Sequence, residues 1–232
     1  MISSQSVARA LESADTETVK ASLAASFDRA ARSETPYRHW TLSDIFGAEV
    51  TAALSALDFP TQDVGGVSGA RELHNDTRQY FDKTNIARHP VCRALAEAFQ
   101  DQDTVDLIGK ATGAQLDGCF LRIEYAQDTD GFWLKPHTDL GVKKFTLLYY
   151  LGPEGHPELG TDVYANADTW SHRAPFEVGG ALAFVPSDST WHGFEPREIP
   201  VVRKSLILNY VTEDWRAREQ LAYPDTPVSG RA

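Results

Sequence analysis

The chain has 232 residues, 42% of them hydrophobic and 24% charged, the balance of an ordinary globular protein. Its 33 acidic residues outnumber 22 basic ones and leave a net charge of −11, which argues against nucleic acid or an anionic membrane as the main partner, since both reward clustered Lys and Arg. No apolar run is long enough to span a bilayer and residues 1–10 carry no secretory pattern, so the expected location is the cytoplasm.

The first half reads as helical. Val7–Glu12 and Thr16–Ala31 are rich in strong helix formers. Ser43–Leu57 opens on a capping residue, Ser43 or Asp44, and ends at Phe59-Pro60. Thr61–Ala70 holds three glycines and reads as a loop. Pro90 suits the first turn of a further helix, and Thr104–Ala111 is another, closed by Gly113. Cys92 and Cys119 lie outside any CxxC pair. They offer no thiolate zinc site and leave a choice between a disulfide and two buried thiols, the thiols being expected in a reducing cytoplasm.

After Gly118 the period changes. Phe120–Tyr125 alternates apolar and polar side chains, as a half-buried strand does. Lys144–Leu151, Thr161–Ala165, Gly180–Val185 and Val201–Val211 are further strands, separated by clusters of Gly, Pro and Asp. Short strands joined by turn-rich loops argue for a sandwich or barrel rather than βαβ units. The expected architecture is α+β: a helical layer over residues 1–115, a β core over 116–215 and a tail over 216–232, with Tyr223–Ala232 frayed.

His137-Thr138-Asp139 puts two potential ligands two residues apart. On a strand they share a face, so an imidazole and a carboxylate converge. His192 lies far downstream between strand-like segments. Two His and one carboxylate form a facial triad, which leaves three positions on iron(II) open. Eleven residues past His192 comes Arg203. Strand parity puts Arg203, Ser205, Ile207 and Asn209 on one face. A buried Arg is costly unless paired, and a dicarboxylate would pair it bidentately, with Ser205 adding a hydroxyl. Thr146, Leu148 and Tyr150 likewise share a face.

These motifs, in order, resemble the 2-oxoglutarate/iron(II) dioxygenase superfamily and within it the prolyl-hydroxylase-like group. The resemblance runs over Gly118–Val211. It is carried by Arg122–Tyr125, by Gly131 leading to His137-Thr138-Asp139, by Thr146–Leu151, Gly160–Tyr164 and Gly179–Phe184, by Trp191-His192-Gly193, and by Arg203. It implies a double-stranded β-helix, or jelly roll, buttressed by the helical half. It implies that His137, Asp139 and His192 bind iron(II) and that Arg203 pairs with the far carboxylate of 2-oxoglutarate. Ser205, Thr146, Tyr150 and Tyr125 are the candidate helpers of that co-substrate. The implied reaction consumes dioxygen, releases succinate and carbon dioxide, and hydroxylates an unactivated C–H bond. Related halogenases carry a small residue where Asp139 stands, so the carboxylate favours hydroxylation over chlorination.

Free-amino-acid hydroxylases in this superfamily are similarly compact, and the expected substrate is a small molecule of that kind. Candidate substrate residues are Arg71, His74 and Arg78, in a polar segment able to fold over the metal, together with Trp133, Asp162 and Asn209. Glu124 enters only if the pocket lies on the strand face opposite Tyr125. His39, His89, His156 and His172 receive no role. Two other readings compete: a hydroxylase of peptide side chains, and a cupin-type jelly roll holding a metal without oxidative chemistry.

Overall fold

The computed structural model describes residues 5, 8, 14–61, 69, 78–139 and 141–230. The expected helix at Val7–Glu12 and loop at Thr61–Ala70 fall largely outside them.

Five helices are described. They are α1 (Thr16–Asp28), α2 (Gly47–Ser55), α3 (Lys83–Arg88), α4 (Pro90–Gln100) and α5 (Gln102–Thr112). Local chemistry sets their ends. The Asp15 carboxylate accepts from the backbone N–H of Glu17 and Thr18, and Asp101 does the same for Asp103 and Thr104. Gly113 closes α5 at φ 83°, a left-handed conformation that suits glycine.

Among the described residues eleven strands form two antiparallel sheets. The strands are β1 (Ala31–Ser33), β2 (His39–Leu42), β3 (Gln79–Tyr80), β4 (Phe120–Asp128), β5 (Leu134–His137), β6 (Lys143–Gly152), β7 (Asp162–Asn166), β8 (Thr169–Arg173), β9 (Ala181–Phe184), β10 (His192–Phe194) and β11 (Arg203–Val211). The larger sheet runs β1-β2-β9-β6-β11-β4-β3 and the smaller β5-β10-β7-β8. Two packed antiparallel sheets with helices on one outer face are the expected jelly roll.

Strand alternation divides the interior in two. Leu121, Ile123, Tyr125, Leu147, Tyr149, Leu206, Leu208 and Tyr210 pack with the helices in one apolar cluster. Leu148, Tyr150, Ile207, Leu182 and Phe184 point the other way, into a second cluster with Val163 and Phe194 of the smaller sheet. Three tyrosines rivet the helices to the sheet through their hydroxyls. Tyr125 donates to the Leu54 carbonyl (3.0 Å), Tyr210 donates to the Phe99 carbonyl (2.6 Å), and Tyr149 pairs with the Thr51 hydroxyl (2.5 Å). Two of these acceptors are last-turn helix carbonyls, which have no onward partner in their own helix.

The structure revises two expectations. The helical half also supplies strands β1, β2 and β3, and one apolar cluster runs from Val19 to Val228, so residue 115 marks a change of secondary structure within a continuous core. The C-terminal stretch is docked rather than frayed: Val228 donates to the Cys119 carbonyl (2.7 Å) and accepts from Gly118 (3.0 Å) with its side chain buried. Burial of Val228 and Ala222 against the helices supplies the apolar contact that holds it. Cys92 and Cys119 are free, buried thiols, and burial pushes the Cys119 thiol up to about 11. Among the described residues no helix is long and apolar enough to cross a membrane.

Candidate active site

The inner face of the larger sheet is laid out in rows fixed by register. Arg122 of β4, Asn209 of β11, Thr146 of β6 and Phe184 of β9 form one row. Glu124, Ile207, Leu148 and Leu182 form the next. Ala126, Ser205 and Tyr150 follow, and Asp128 with Arg203 closes the series.

The metal-ligand candidates sit opposite the first rows. β5 and β10 are antiparallel neighbours in the smaller sheet, and His137 and His192 are directly paired across them. Their rings lie 4.4 Å apart, and one ligand atom from each of His137, Asp139 and His192 lies within 4.8 Å of the other two. Both histidines have a fixed tautomer. The Nδ1 of His137 lies 2.9 Å from the Lys135 carbonyl and that of His192 2.9 Å from the Thr190 carbonyl. A carbonyl only accepts, so each Nδ1 carries the proton and each Nε2 keeps its lone pair for a metal.

Electrostatics suit the same purpose. Burial, backed by the neighbouring His137, pushes His192 down to about 3, so its imidazole is neutral at ordinary pH. Burial would raise the Asp139 carboxyl, but the Lys143 ammonium and the hydrogen bonds from Lys143 and Thr146 outweigh it and hold the group ionised, well below the usual carboxylate range. Two imidazoles and one carboxylate are the donor set that iron(II) accepts on one face.

A cavity runs from His192 to Arg203. It is lined by Leu148, Ile207, Phe132, Leu134 and Phe194 along its length and by Thr161, Ser205, Arg78 and Asp128 toward Arg203. Arg203 is buried; its Nε donates to the Leu159 carbonyl (2.7 Å) and its Nη1 to Asp128 (2.6 Å), with Phe194 and Phe176 against its guanidinium plane. The Tyr150 hydroxyl donates to Thr161 (3.1 Å). Burial pushes this phenol up, so it stays protonated and able to donate.

Arg78, a substrate candidate from the sequence, meets charged residues that sequence reasoning gave no role of this kind. Arg78 lies 3.0 Å from Asp128 and 3.5 Å from Glu124, and Arg122 lies 2.6 Å from Glu124. With Arg203, three buried guanidinium groups meet two buried carboxylates and leave one positive charge beside the cavity. The signal in the sequence is the parity of β4: Arg122, Glu124 and Asp128 share a face, against Leu121, Ile123 and Tyr125 on the other. Lys143 ion-pairs with Asp139, and Thr161 lines the cavity; nothing in their local sequence marks either one.

The remaining candidates fall as follows. Tyr125 does not reach the cavity, because it lies on the helix-facing side of β4 with its hydroxyl on Leu54; the pocket face carries Glu124. Thr146 stands beside Asp139, and Asn209 beside Thr146. Trp133 is half-buried and packs on Gly69, where a Cβ would come within 2.4 Å of its ring. Arg71 and His74 lie outside the described residues. Asp162 is no mouth residue. It is fully buried and accepts from Arg173 (2.8 Å), Trp170 (3.2 Å), the Glu195 backbone (2.8 Å) and Arg197, which ties β7 to β8 and to the chain after β10. Asp162→Ala is expected to cost about 3–5 kcal/mol by stranding these cations. A urea midpoint unchanged from wild type would refute that role.

No protein-family model matches this sequence, and no curated protein matches it. Solved structures do match in shape. One is a prolyl-4-hydroxylase from Pseudomonas putida, with TM-score 0.55 and 19% identity over 82% of this chain and 98% of that one. Another is a Trichoplax adhaerens prolyl hydroxylase solved with a peptide fragment of the hypoxia inducible factor oxygen degradation domain, at 0.55 and 14% over 87% and 93%. A third is HygX from Streptomyces hygroscopicus, solved with nickel and 2-oxoglutarate bound, at 0.50 and 16% over 84% and 90%. At these identities the likeness is one of fold. The chain shares the jelly-roll fold of these prolyl hydroxylases, and it carries a two-histidine, one-carboxylate cluster inside that fold.

Proposed function

We propose that this protein is an iron(II)- and 2-oxoglutarate-dependent oxygenase that hydroxylates an unactivated C–H bond of a small molecule, releasing succinate and carbon dioxide. One observation carries the reading: a convergent His137–Asp139–His192 cluster lies at one end of a cavity whose other end is the buried Arg203. His137, Asp139 and His192 would hold the iron, which when bound supplies the oxidising chemistry toward dioxygen. The chain supplies the rest. Arg203 receives the far carboxylate of 2-oxoglutarate, and Thr161, Ser205 and Tyr150 offer hydroxyls near it. Leu148, Ile207 and Phe194 keep water off the length of the cavity, which strengthens every charge interaction inside.

The buried charges favour a charged, polar substrate. Arg78 lines the cavity where three guanidinium groups meet two carboxylates, which fits the carboxylate of a free amino acid. Trp133 remains a candidate substrate contact, as do Arg71 and His74. The peptide reading keeps support from the prolyl hydroxylases that share this fold.

The test has two stages. Anaerobic addition of iron(II) and 2-oxoglutarate is expected to produce a visible metal-to-ligand charge-transfer band. Its absence would leave the cupin-type reading. Substrate-stimulated succinate release is then measured across free amino acids and proline-containing peptides. Stimulation by peptides alone would overturn the small-molecule reading.

A further inference from the structure

The Asp139 carboxylate is gripped from outside the metal cluster. Its Oδ1 meets the Lys143 ammonium (2.5 Å) and its Oδ2 accepts the Thr146 hydroxyl (2.7 Å). Behind Thr146 stands a second and a third residue. Asn209 Nδ2 donates to Thr146 Oγ1 (2.9 Å), and Arg122 Nη1 donates to Asn209 Oδ1 (3.1 Å). Arg122, Asn209 and Thr146 occupy one row across three adjacent strands, so the backbone register itself puts them in line. All three are buried, Asn209 completely.

The chain has only one consistent polarity. A guanidinium has donors and no acceptor, so Asn209 must turn its carbonyl toward Arg122. Its amide nitrogen then faces Thr146 and can only donate. A hydroxyl that accepts from Asn209 is free to give its own proton to the remaining neighbour, the Asp139 carboxylate. Arg122 is a fixed starting point for this sequence. Its Nε donates to Gln220 (2.9 Å), its Nη2 donates to Glu124 (2.6 Å), and its guanidinium lies between the Tyr80 and Trp215 rings at 4.9 Å from each centroid. Such a clamped guanidinium is held against rotation.

We propose that Asn209, Thr146 and Arg122 are positioning residues for the metal centre: a one-way chain Arg122→Asn209→Thr146→Asp139 fixes the orientation in which the carboxylate is presented. The proposal rests on the reading of His137, Asp139 and His192 as a metal site. Its physical content is that a ligand held by a partner of fixed polarity loses less freedom on binding and keeps its charge directed at the metal. Asn209, a candidate substrate residue by strand parity, acts in this account through Thr146 instead.

The test is a metal titration of the full-length protein with cobalt(II), read by affinity and by the visible cobalt spectrum without turnover. Thr146→Val keeps the shape and removes the hydroxyl. It is expected to weaken binding about 10–100-fold, the usual effect of losing an outer partner of a ligand, and to shift the spectrum. Thr146→Ser restores the hydroxyl and is expected to bind within about threefold of wild type. Asn209→Ala should weaken binding in the wild-type background and add nothing in the Thr146→Val background, since its effect passes through that hydroxyl. Thr146→Val binding as tightly as wild type, or an undiminished Asn209→Ala effect in the double variant, overturns the proposal. Wild type that takes up no cobalt, or a His192→Ala variant that binds as well as wild type, overturns the underlying metal reading instead.

Discussion

Replacing His192 with Ala is expected to remove metal binding. His192 is neutral, buried and tied through Nδ1, so its Nε2 is presented at almost no conformational cost. Deleting it leaves one imidazole and one carboxylate, too few to hold iron(II) on a single face. The loss in affinity should exceed the roughly 10–100-fold typical of losing an outer partner, because here a bond to the metal itself disappears. The fold should survive, since the neighbouring Phe194 and Ile199 stay buried and the β5–β10 pairing is made by backbone. Iron titration followed by optical or resonance methods measures this. Retention of near-wild-type affinity would remove the basis for any oxidative function.

Arg203→Ala is expected to separate the two ends of the cavity. The metal ligands are untouched, so iron should bind as in wild type. Binding of 2-oxoglutarate should weaken by about 2–5 kcal/mol, the cost of removing one partner of a buried charge pair, which is roughly 30- to 5,000-fold. The charge-transfer band then saturates only at much higher co-substrate concentration. Asp128 keeps a cation in this variant, because Arg78 also reaches it at 3.0 Å, and that should limit the damage to folding. Arg203→Lys restores the charge without the fork and should fall between the two. An Arg203→Ala protein with unchanged 2-oxoglutarate affinity would favour a metal protein that uses no keto acid.

What the sequence made legible follows from strand periodicity. Two residues per repeat is enough to place Arg203, Ser205 and Asn209 on one face, and Thr146, Leu148 and Tyr150 on another that turns out to be the same inner surface. The long strands β4, β6 and β11 were readable for that reason. β1, β2, β3, β8 and β10 are as short as β7 and β9, which were read, but lack a glycine-led run to mark them. β4 was assigned the wrong pocket face for a different reason. In a sheet with one wet side the polar set Arg122, Glu124 would face water and Tyr125 the interior. Here both sides are covered, and the polar set faces a buried site, where the ions satisfy one another. Asp162 was misplaced because its partners Arg173 and Arg197 arrive from elsewhere in the chain, which no local pattern reveals.

The alternation in β11 has a consequence for how this protein can change. Arg203, Ser205 and Ile207 line the cavity and Asn209 follows on the same face, while Leu206, Leu208 and Tyr210 face the helices, and Lys204 reaches the Ser55 carbonyl at α2 (2.8 Å). One stretch of backbone therefore carries two interleaved messages, one for ligand choice and one for assembly. Point changes at the first set can retune specificity while the second keeps the helices docked. A one-residue slip in the register of β11 would swap the two sets at once, driving Leu206 and Tyr210 into the cavity and Arg203 under the helices. Diversification of this strand is open to substitution and closed to slippage.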